Sequence, residues 1–236
     1  MATIGLLCAV FLTTVALERL WPGGPRLEFL VFVGIALALE SALVLVTVDR
    51  VTGSGEATFT LATGVTLARA AAVAVLAGFV VTRPPSGLLV WAPGALFAVA
   101  AALDAVDGAI ARSRGTETDL GARLDVEVDA FAVLVGSIVA VGNGAAPVAF
   151  LAVGAARYLF VGTLWWRHRR GREVHELPQS RVRRPLGALA MLAIWLAILP
   201  VADHGVSRPI ATIVAIPFLA NFARDWLVAT GRGRVT

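Results

Sequence analysis

The sequence predicts an all-α fold, a bundle of helices that crosses a membrane several times. Of the 236 residues, 58% are hydrophobic and 15% are charged, against about 45–50% and about 25% in soluble domains. Eight apolar stretches follow one another along the chain, separated by short polar or Gly/Pro-rich breaks. These observations argue strongly against a soluble globular enzyme, and the apolar content is too high for a disordered chain.

Each apolar stretch is interpreted as a transmembrane helix. A bilayer core of about 30 Å needs about 20 apolar residues per helix, and in lipid every backbone polar group must be satisfied within its own segment. The first stretch has no basic residue at its start and no clear cleavage site, which favours a retained helix over a signal peptide. The predicted spans are residues 2–20, 29–48, 61–81, 88–110, 124–141, 147–166, 186–201 and 210–228.

The basic residues predict the orientation of these helices. All twenty are arginines, and cytoplasmic loops of membrane proteins carry an excess of basic side chains. With a cytoplasmic N-terminus and eight alternating helices, fourteen arginines face the cytoplasm and four face outward. The chain is predicted to be one integral membrane protein, with a two-helix extension at residues 1–55 and a catalytic membrane domain at residues 56–236. No nucleic-acid partner is expected.

Four aspartates stand out in residues 103–130. Asp104 and Asp107 are spaced i, i+3 near the end of one predicted helix, and Asp125 and Asp129 are spaced i, i+4 near the start of the next. Each pair therefore projects from one helix face. Because the loop between the helices is short, we expect antiparallel neighbours whose two acidic pairs lie at the same membrane depth and converge.

Such a cluster needs a compensating cation, because four like charges at a membrane boundary repel and are costly to desolvate. Carboxylate oxygens suit hard divalent ions such as Mg²⁺, Mn²⁺ or Ca²⁺, and Mg²⁺ completes its shell with phosphate oxygens. A lone acidic pair at a helix end is often only interfacial, and Glu127 is interpreted in that way. Two facing aspartate pairs with interposed glycines and Arg112 instead indicate a functional site.

The aspartates belong to a longer pattern, Asp104-x2-Asp107-Gly108-x2-Ala111-Arg112-x8-Gly121-x3-Asp125-x3-Asp129. This pattern resembles the signature of the CDP-alcohol phosphotransferases, also called CDP-alcohol phosphatidyltransferases, at every specified position. Thr66-Leu67-Ala68-Arg69 is similar to the Thr-x-x-Arg of the family's first core helix. The Pro-Asn that usually precedes it is replaced here by Ala62-Thr63-Gly64.

The resemblance implies a six-helix core, a homodimer and the transfer of a substituted phosphate from a CDP-linked donor to an alcohol, with release of CMP. It also implies a pair of divalent ions, Mg²⁺ or Mn²⁺, at a site on the cytoplasmic face. By this resemblance Asp129 is the general base. The implied metal ligands are Asp104, Asp107, Asp125 and Asp129, and the implied CDP site comprises Thr66, Asp107, Gly108, Ala111, Arg112, Gly121 and Asp125.

The sequence says less about the chemical identity of the CDP-linked donor and of the alcohol acceptor. A polytopic protein with a site at the membrane face suits a lipid donor such as CDP-diacylglycerol or CDP-archaeol, although CDP-choline-type donors stay open. Arg157 lies inside a predicted span, which is costly unless it faces a cavity. With Arg181 and Arg184 it suggests an anionic acceptor such as a polyol phosphate. Uncharged and zwitterionic acceptors also stay open, as does binding of Arg181 and Arg184 to lipid headgroups.

A second functional class fits the spans and the intramembrane charges taken alone. The chain could be a non-catalytic membrane transporter or a cation-binding scaffold. Matching halves with Gly- or Pro-broken helices, which are typical of transporters, do not occur in the sequence. The enzyme of phospholipid synthesis is therefore the preferred prediction.

Overall fold

A computed structural model describes residues 2–21, 24–52, 61–83, 86–114, 119–178, 180–201 and 203–232. Within these ranges it contains eight α-helices and no strand, which confirms the predicted all-α bundle. Every predicted span corresponds to one of these helices. They are α1 (Ala2–Leu20), α2 (Leu27–Thr52), α3 (Leu61–Ala77), α4 (Ala92–Arg114), α5 (Asp119–Gly142), α6 (Leu151–Arg169), α7 (Arg183–Ile198) and α8 (His204–Ala229).

Three stretches are long and apolar enough to cross a membrane by themselves: Leu27–Thr47, Val148–Arg169 and His204–Ala229. Two shorter apolar helical stretches, Gly64–Val80 and Leu88–Asp104, lie in the α3 and α4 regions. In α5 the apolar run is interrupted in its first half by Asp125, Glu127 and Asp129. The architecture is consistent with a polytopic helical bundle.

Helix α3 forms the centre of the bundle and packs against α1, α2, α4 and α5. Residues 70–79 are buried without interruption, and most of them are alanine or valine. Small side chains let helix backbones approach closely, which is how helices associate when lipid removes the hydrophobic drive between them. The same helix places two polar side chains in the interior, Thr66 and Arg69, which are 1% and 2% exposed.

The N-terminal helices are attached to α3 by an aromatic cluster at one end of the bundle. The ring of Phe29 lies edge-on to Trp21 and Phe79, at centroid distances of 5.4 and 5.0 Å. Gly78 makes room for this contact, because a Cβ there would lie 2.4 Å from the Phe29 ring. Residues of α1, α2 and α3 share one hydrophobic core. The division of the chain at residue 55 stays a prediction.

Arginines and tryptophans meet at the opposite end of the bundle. The guanidinium carbon of Arg169 lies 4.4 Å from the Trp165 ring centroid, and that of Arg170 lies 4.1 Å from the Trp166 ring centroid. Amphipathic indoles with cations over their faces are typical of a membrane–water interface. The last turn of α4 and the first turn of α5 lie at this same end, so the predicted acidic site is close to the interface and not at the bilayer centre.

Candidate functional site

Three of the four predicted aspartates converge on one point. Asp104 comes from α4, and Asp125 and Asp129 come from successive turns of α5. One carboxylate oxygen of each lies within 4.8 Å of the other two. Asp125 and Asp129, spaced i, i+4 on α5, therefore lie on the same helix face, as helix periodicity predicts. The three oxygens could hold a metal ion.

Arg69 lies at the centre of this acidic cluster. Its Nη1 is 2.9 Å from Asp104 and also contacts Asp125, while Nη2 donates a hydrogen bond to Asp129. The planar guanidinium presents its donors in a fixed fork, which suits several carboxylates at once. Among the described residues, α3 packs against both α4 and α5 more extensively than these two helices pack against each other.

Exposure differs sharply between the cation and its acidic partners. The Arg69 side chain is 2% exposed, whereas Asp104, Asp125 and Asp129 are 37%, 38% and 33% exposed. The carboxylates thus form an open layer over a buried guanidinium. Behind that layer, between Arg69 and Asp129, lies a cavity of about 10 Å³ with mostly apolar lining, which is room for about one water. Among the described residues, the partly exposed carboxylates are therefore the side from which a ligand can approach.

The formal charges of these four side chains add up to −2, which one divalent cation would neutralise. Carboxylate oxygens of this kind are the ligands that Mg²⁺ and Mn²⁺ prefer. The donor set of the described residues is therefore suited to a hard divalent ion. Arg69 supplies part of the compensating charge from the buried side, and a cation approaching from the open side would supply the rest.

The other predicted residues of the CDP site are only partly described. For Asp107, Gly108, Ala111 and Arg112 the backbone lies in α4, but their side chains lie outside the described part of the structure. Thr66 is buried on α3, one turn before Arg69. Both residues interact with other residues of the protein. Gly121 is half-buried in the first turn of α5.

A second cavity, of about 250 Å³, lies among α6, α7 and α8. Helix α7 borders both cavities, since Leu186 lines this one and Met191 lines the small cavity beside Asp129. Of the predicted acceptor-binding arginines, only Arg157 lines it. Arg181 and Arg184 are exposed and are not among its lining residues. The lining comprises Arg157, Phe160, Leu177, Arg183, Leu186, Phe218, Asn221, Phe222 and Asp225.

Two ion pairs hold the charged side chains of this cavity. The Nη2 of Arg157 donates to Glu127 at 2.6 Å, so Glu127 is not the solvated interfacial residue that the sequence suggested. Arg183 donates from Nε and Nη2 to the two carboxylate oxygens of Asp225 at 2.7 and 3.0 Å. A bidentate pair of this kind fixes geometry as well as charge.

The residues of the acidic cluster fall within the match to a known protein family. The sequence model of the CDP-alcohol phosphatidyltransferases matches residues 59–221. The chain belongs to this family. Searches of curated proteins and of solved structures gave no significant match. CDP-alcohol phosphatidyltransferases are membrane-embedded transferases that move a phosphate group from a CDP-alcohol to an acceptor and generally use a divalent metal.

The family match begins after α2, so both N-terminal helices lie outside the matched part of this CDP-alcohol phosphatidyltransferase. Three side chains make contacts at these sites that the sequence analysis did not predict. Arg69 could have been recognised as central, because a charge inside a membrane helix needs a partner. Arg183 and Asp225 are 42 positions apart, and nothing in their local sequence indicates that they pair.

Proposed function

We propose that the protein transfers the substituted phosphate of a CDP-linked lipid, of the CDP-diacylglycerol or CDP-archaeol type, to the hydroxyl of a small alcohol in phospholipid synthesis. The observation that carries the proposal is the placement of Asp104, Asp125 and Asp129 around Arg69, with their oxygens open on one side. A cavity of about 250 Å³ beside α7 is suited to the acceptor.

Asp104, Asp107, Asp125 and Asp129 are the proposed metal ligands, for two ions of Mg²⁺ or Mn²⁺. When bound, such ions neutralise a pyrophosphate and stabilise the charge that develops on it. Arg69 holds three of these carboxylates in place from the buried side. Its role is positioning, since it lies beneath the carboxylate layer and not on the open side.

Asp129 is the proposed general base. It accepts the proton of the acceptor hydroxyl while that oxygen forms a bond to the phosphorus carrying the donor alcohol. The bond between this phosphorus and the bridging oxygen breaks, CMP leaves with the bonding electrons, and the proton passes from Asp129 to solvent. Asp129 suits this role because it lies one turn deeper along α5 than Asp125 and beside α7, which also lines the acceptor cavity.

We place the donor nucleotide at the open side of the acidic cluster, because its pyrophosphate would be neutralised by the divalent ions proposed there. The residues proposed to line it are Thr66, Asp107, Gly108, Ala111, Arg112, Gly121 and Asp125. Small residues one turn apart leave a helix face open for a ligand. The guanidinium of Arg112 is suited to a bidentate pair of hydrogen bonds to a phosphate. The proposed homodimer and the cytoplasmic location of the site rest on the family and on the arginine distribution.

Release of CMP tests the proposal. Purified protein in detergent micelles is incubated with CDP-diacylglycerol, Mg²⁺ or Mn²⁺ and a panel of small alcohols, and CMP is measured. We expect metal-dependent CMP release with at least one acceptor, and none without an acceptor. Metal binding without CMP release for any donor or acceptor would instead favour a cation-binding scaffold.

A further inference from the structure

Helix α5 is held by a guanidinium on each of two opposite sides at the level of the acidic cluster. On one side, Arg69 of α3 contacts Asp125 and Asp129. On the other side, Nη2 of Arg157 on α6 donates to Glu127 at 2.6 Å. Successive residues of a helix turn by about 100°, so Glu127 points about 160–200° away from the two aspartates. The two cations therefore fix the rotation of α5 about its own axis.

The rotation of α5 determines where two of the three converging carboxylates lie. A helix with its side chains has a radius of about 5–6 Å, so a rotation of about 20° moves a side-chain tip by about 2 Å. Mg²⁺ requires near-ideal octahedral geometry, with oxygens at about 2.0–2.1 Å. A rotation of that size would therefore prevent Asp125 and Asp129 from sharing an ion with Asp104.

The pair of Arg157 and Glu127 is only partly open to water. The two side chains are 32% and 28% exposed, and Nε of Arg157 is buried without a hydrogen-bond partner among the described residues. Fully exposed ion pairs contribute little, because water and salt screen them. This pair is screened less than a surface pair, so it constrains the two helices that carry it.

Helix α6 is a close support for α5 beside this pair. A Cβ at Gly154, one turn from Arg157, would lie 3.0 Å from the Cα of Leu134 and 3.1 Å from the side chain of Ser137. Small residues permit this close approach of helix backbones in a membrane bundle. Because α6 packs so closely on α5, a contact through Arg157 resists rotation of α5 instead of following it.

We infer that Glu127 and Arg157 are positioning residues of the metal site, which set the rotation of α5 and so the affinity of Asp125 and Asp129 for a divalent ion. The inference rests on the function proposed above, since it concerns the same site. Both residues act through α5 and not through contact with the ion. The competing interpretation is that Glu127 only compensates the charge of Arg157 inside the bundle, in which case the pair would stabilise the fold without affecting metal binding.

Magnesium titration of thermal unfolding tests the inference without turnover. The full-length protein in micelles is unfolded at increasing Mg²⁺, and the concentration that gives half of the maximal rise in melting temperature is determined. We expect Glu127→Gln to raise this half-saturating concentration about tenfold, the lower end of the loss that supporting residues of metal sites cause. An unchanged concentration would overturn the inference.

Arg183→Gln is the matched control for this titration. It breaks an arginine–carboxylate pair of the same kind, but one that joins α7 to α8 and does not involve α5. The melting temperature of this variant should fall, while its half-saturating Mg²⁺ concentration should equal that of the natural protein. An equal rise in both variants would mean that general destabilisation, and not the position of α5, lowers the affinity for Mg²⁺.

The double variant Glu127→Gln/Arg157→Gln separates positioning from charge compensation. It leaves neither charge without its partner, so it should fold at least as well as either single variant. If the pair positions α5, the half-saturating Mg²⁺ concentration should stay about tenfold raised in the double variant, because the contact is still missing. A return to the natural value would show that the pair only balances charge, and the positioning role would be rejected.

CMP release distinguishes failure of this inference from failure of the transferase. Stabilisation by Mg²⁺ that depends on Glu127, without CMP release for any acceptor, would keep the positioning role and reject the transferase. An Mg²⁺ requirement for CMP release that Glu127→Gln leaves unchanged, with a raised KM for the acceptor in Arg157→Gln, would do the reverse. No stabilisation of the natural protein by Mg²⁺ or Mn²⁺ would overturn the metal site on which both depend.

Discussion

The guanidinium of Arg69 lies 2.9 Å from the carboxylate of Asp104, at a side chain that is 2% exposed. The same guanidinium reaches Asp125 and Asp129 on a different helix. One buried cation on α3 thus joins the acidic residues of α4 and α5. Without it, three carboxylates within 4.8 Å of one another would repel.

Arg69→Gln should therefore destabilise the metal-free protein. We expect a loss of at least about 1 kcal/mol in unfolding free energy, and less than the roughly 3–5 kcal/mol of a fully buried pair, because the carboxylates are partly exposed. Thermal unfolding in micelles measures this loss of stability. Added Mg²⁺ should raise the melting temperature more in this variant than in the natural protein. Arg184→Gln, at an exposed position, serves as the control, and unchanged stability of Arg69→Gln would contradict the role of Arg69.

Asp129→Asn tests the proposed general base. The amide preserves the size of the side chain but cannot accept the acceptor's proton, so CMP release should fall by about 10²-fold or more. Metal-dependent thermal stabilisation should be retained in part, because Asp104 and Asp125 remain. Glu176→Gln removes an exposed acid elsewhere and should leave CMP release unchanged. Full activity of Asp129→Asn would exclude it as the base.

Asp104→Asn separates metal binding from proton transfer. Losing one of three converging carboxylates should raise the Mg²⁺ concentration needed for half-maximal CMP release about tenfold, with much of the rate recovered at saturating Mg²⁺. Chelation of the divalent ions should abolish CMP release in the natural protein, and Mg²⁺ or Mn²⁺ should restore it. A rate deficit that no Mg²⁺ concentration relieves would argue against Asp104 as a ligand.

The sequence predicted the helices well because their signal is local. A run of apolar residues about as long as the bilayer core is wide needs no tertiary information, and the first predicted span coincides with α1 (Ala2–Leu20). The common face of Asp125 and Asp129 follows from helix periodicity in the same way. The local sequence does not show that α3 joins the acidic side chains of α4 and α5.

The contacts that the sequence did not predict are pairings between residues far apart in the chain. Glu127 is two positions from both Asp125 and Asp129, so it points away from them and reaches Arg157 on α6. Asp225 accepts from Arg183, which lies 42 positions earlier in the chain. These contacts depend on how α5, α6, α7 and α8 pack, and the packing is set by many small side chains that carry no distinguishing local pattern.

Gly154→Ala should weaken the contact between α5 and α6. A Cβ at Gly154 would lie 3.0 Å from the Cα of Leu134 and 3.1 Å from the side chain of Ser137, so the helices must separate by a few tenths of an ångström. We expect a loss of about 1–3 kcal/mol in unfolding free energy. Gly162→Ala on the same helix meets open space and should be neutral or stabilising. Equal effects of the two substitutions would show that the close approach is not limiting.

Glu40→Leu should stabilise the protein. The Glu40 side chain is 2% exposed on α2, and neither of its carboxylate oxygens has a hydrogen-bond partner among the described residues. An unsatisfied buried polar group costs about 1–3 kcal/mol, and leucine fills a similar volume without that cost. The measurement is the midpoint of thermal unfolding in micelles, with Glu28→Leu as the control because Glu28 is exposed on the same helix. A lower midpoint for Glu40→Leu would contradict the cost assigned here to the buried carboxyl.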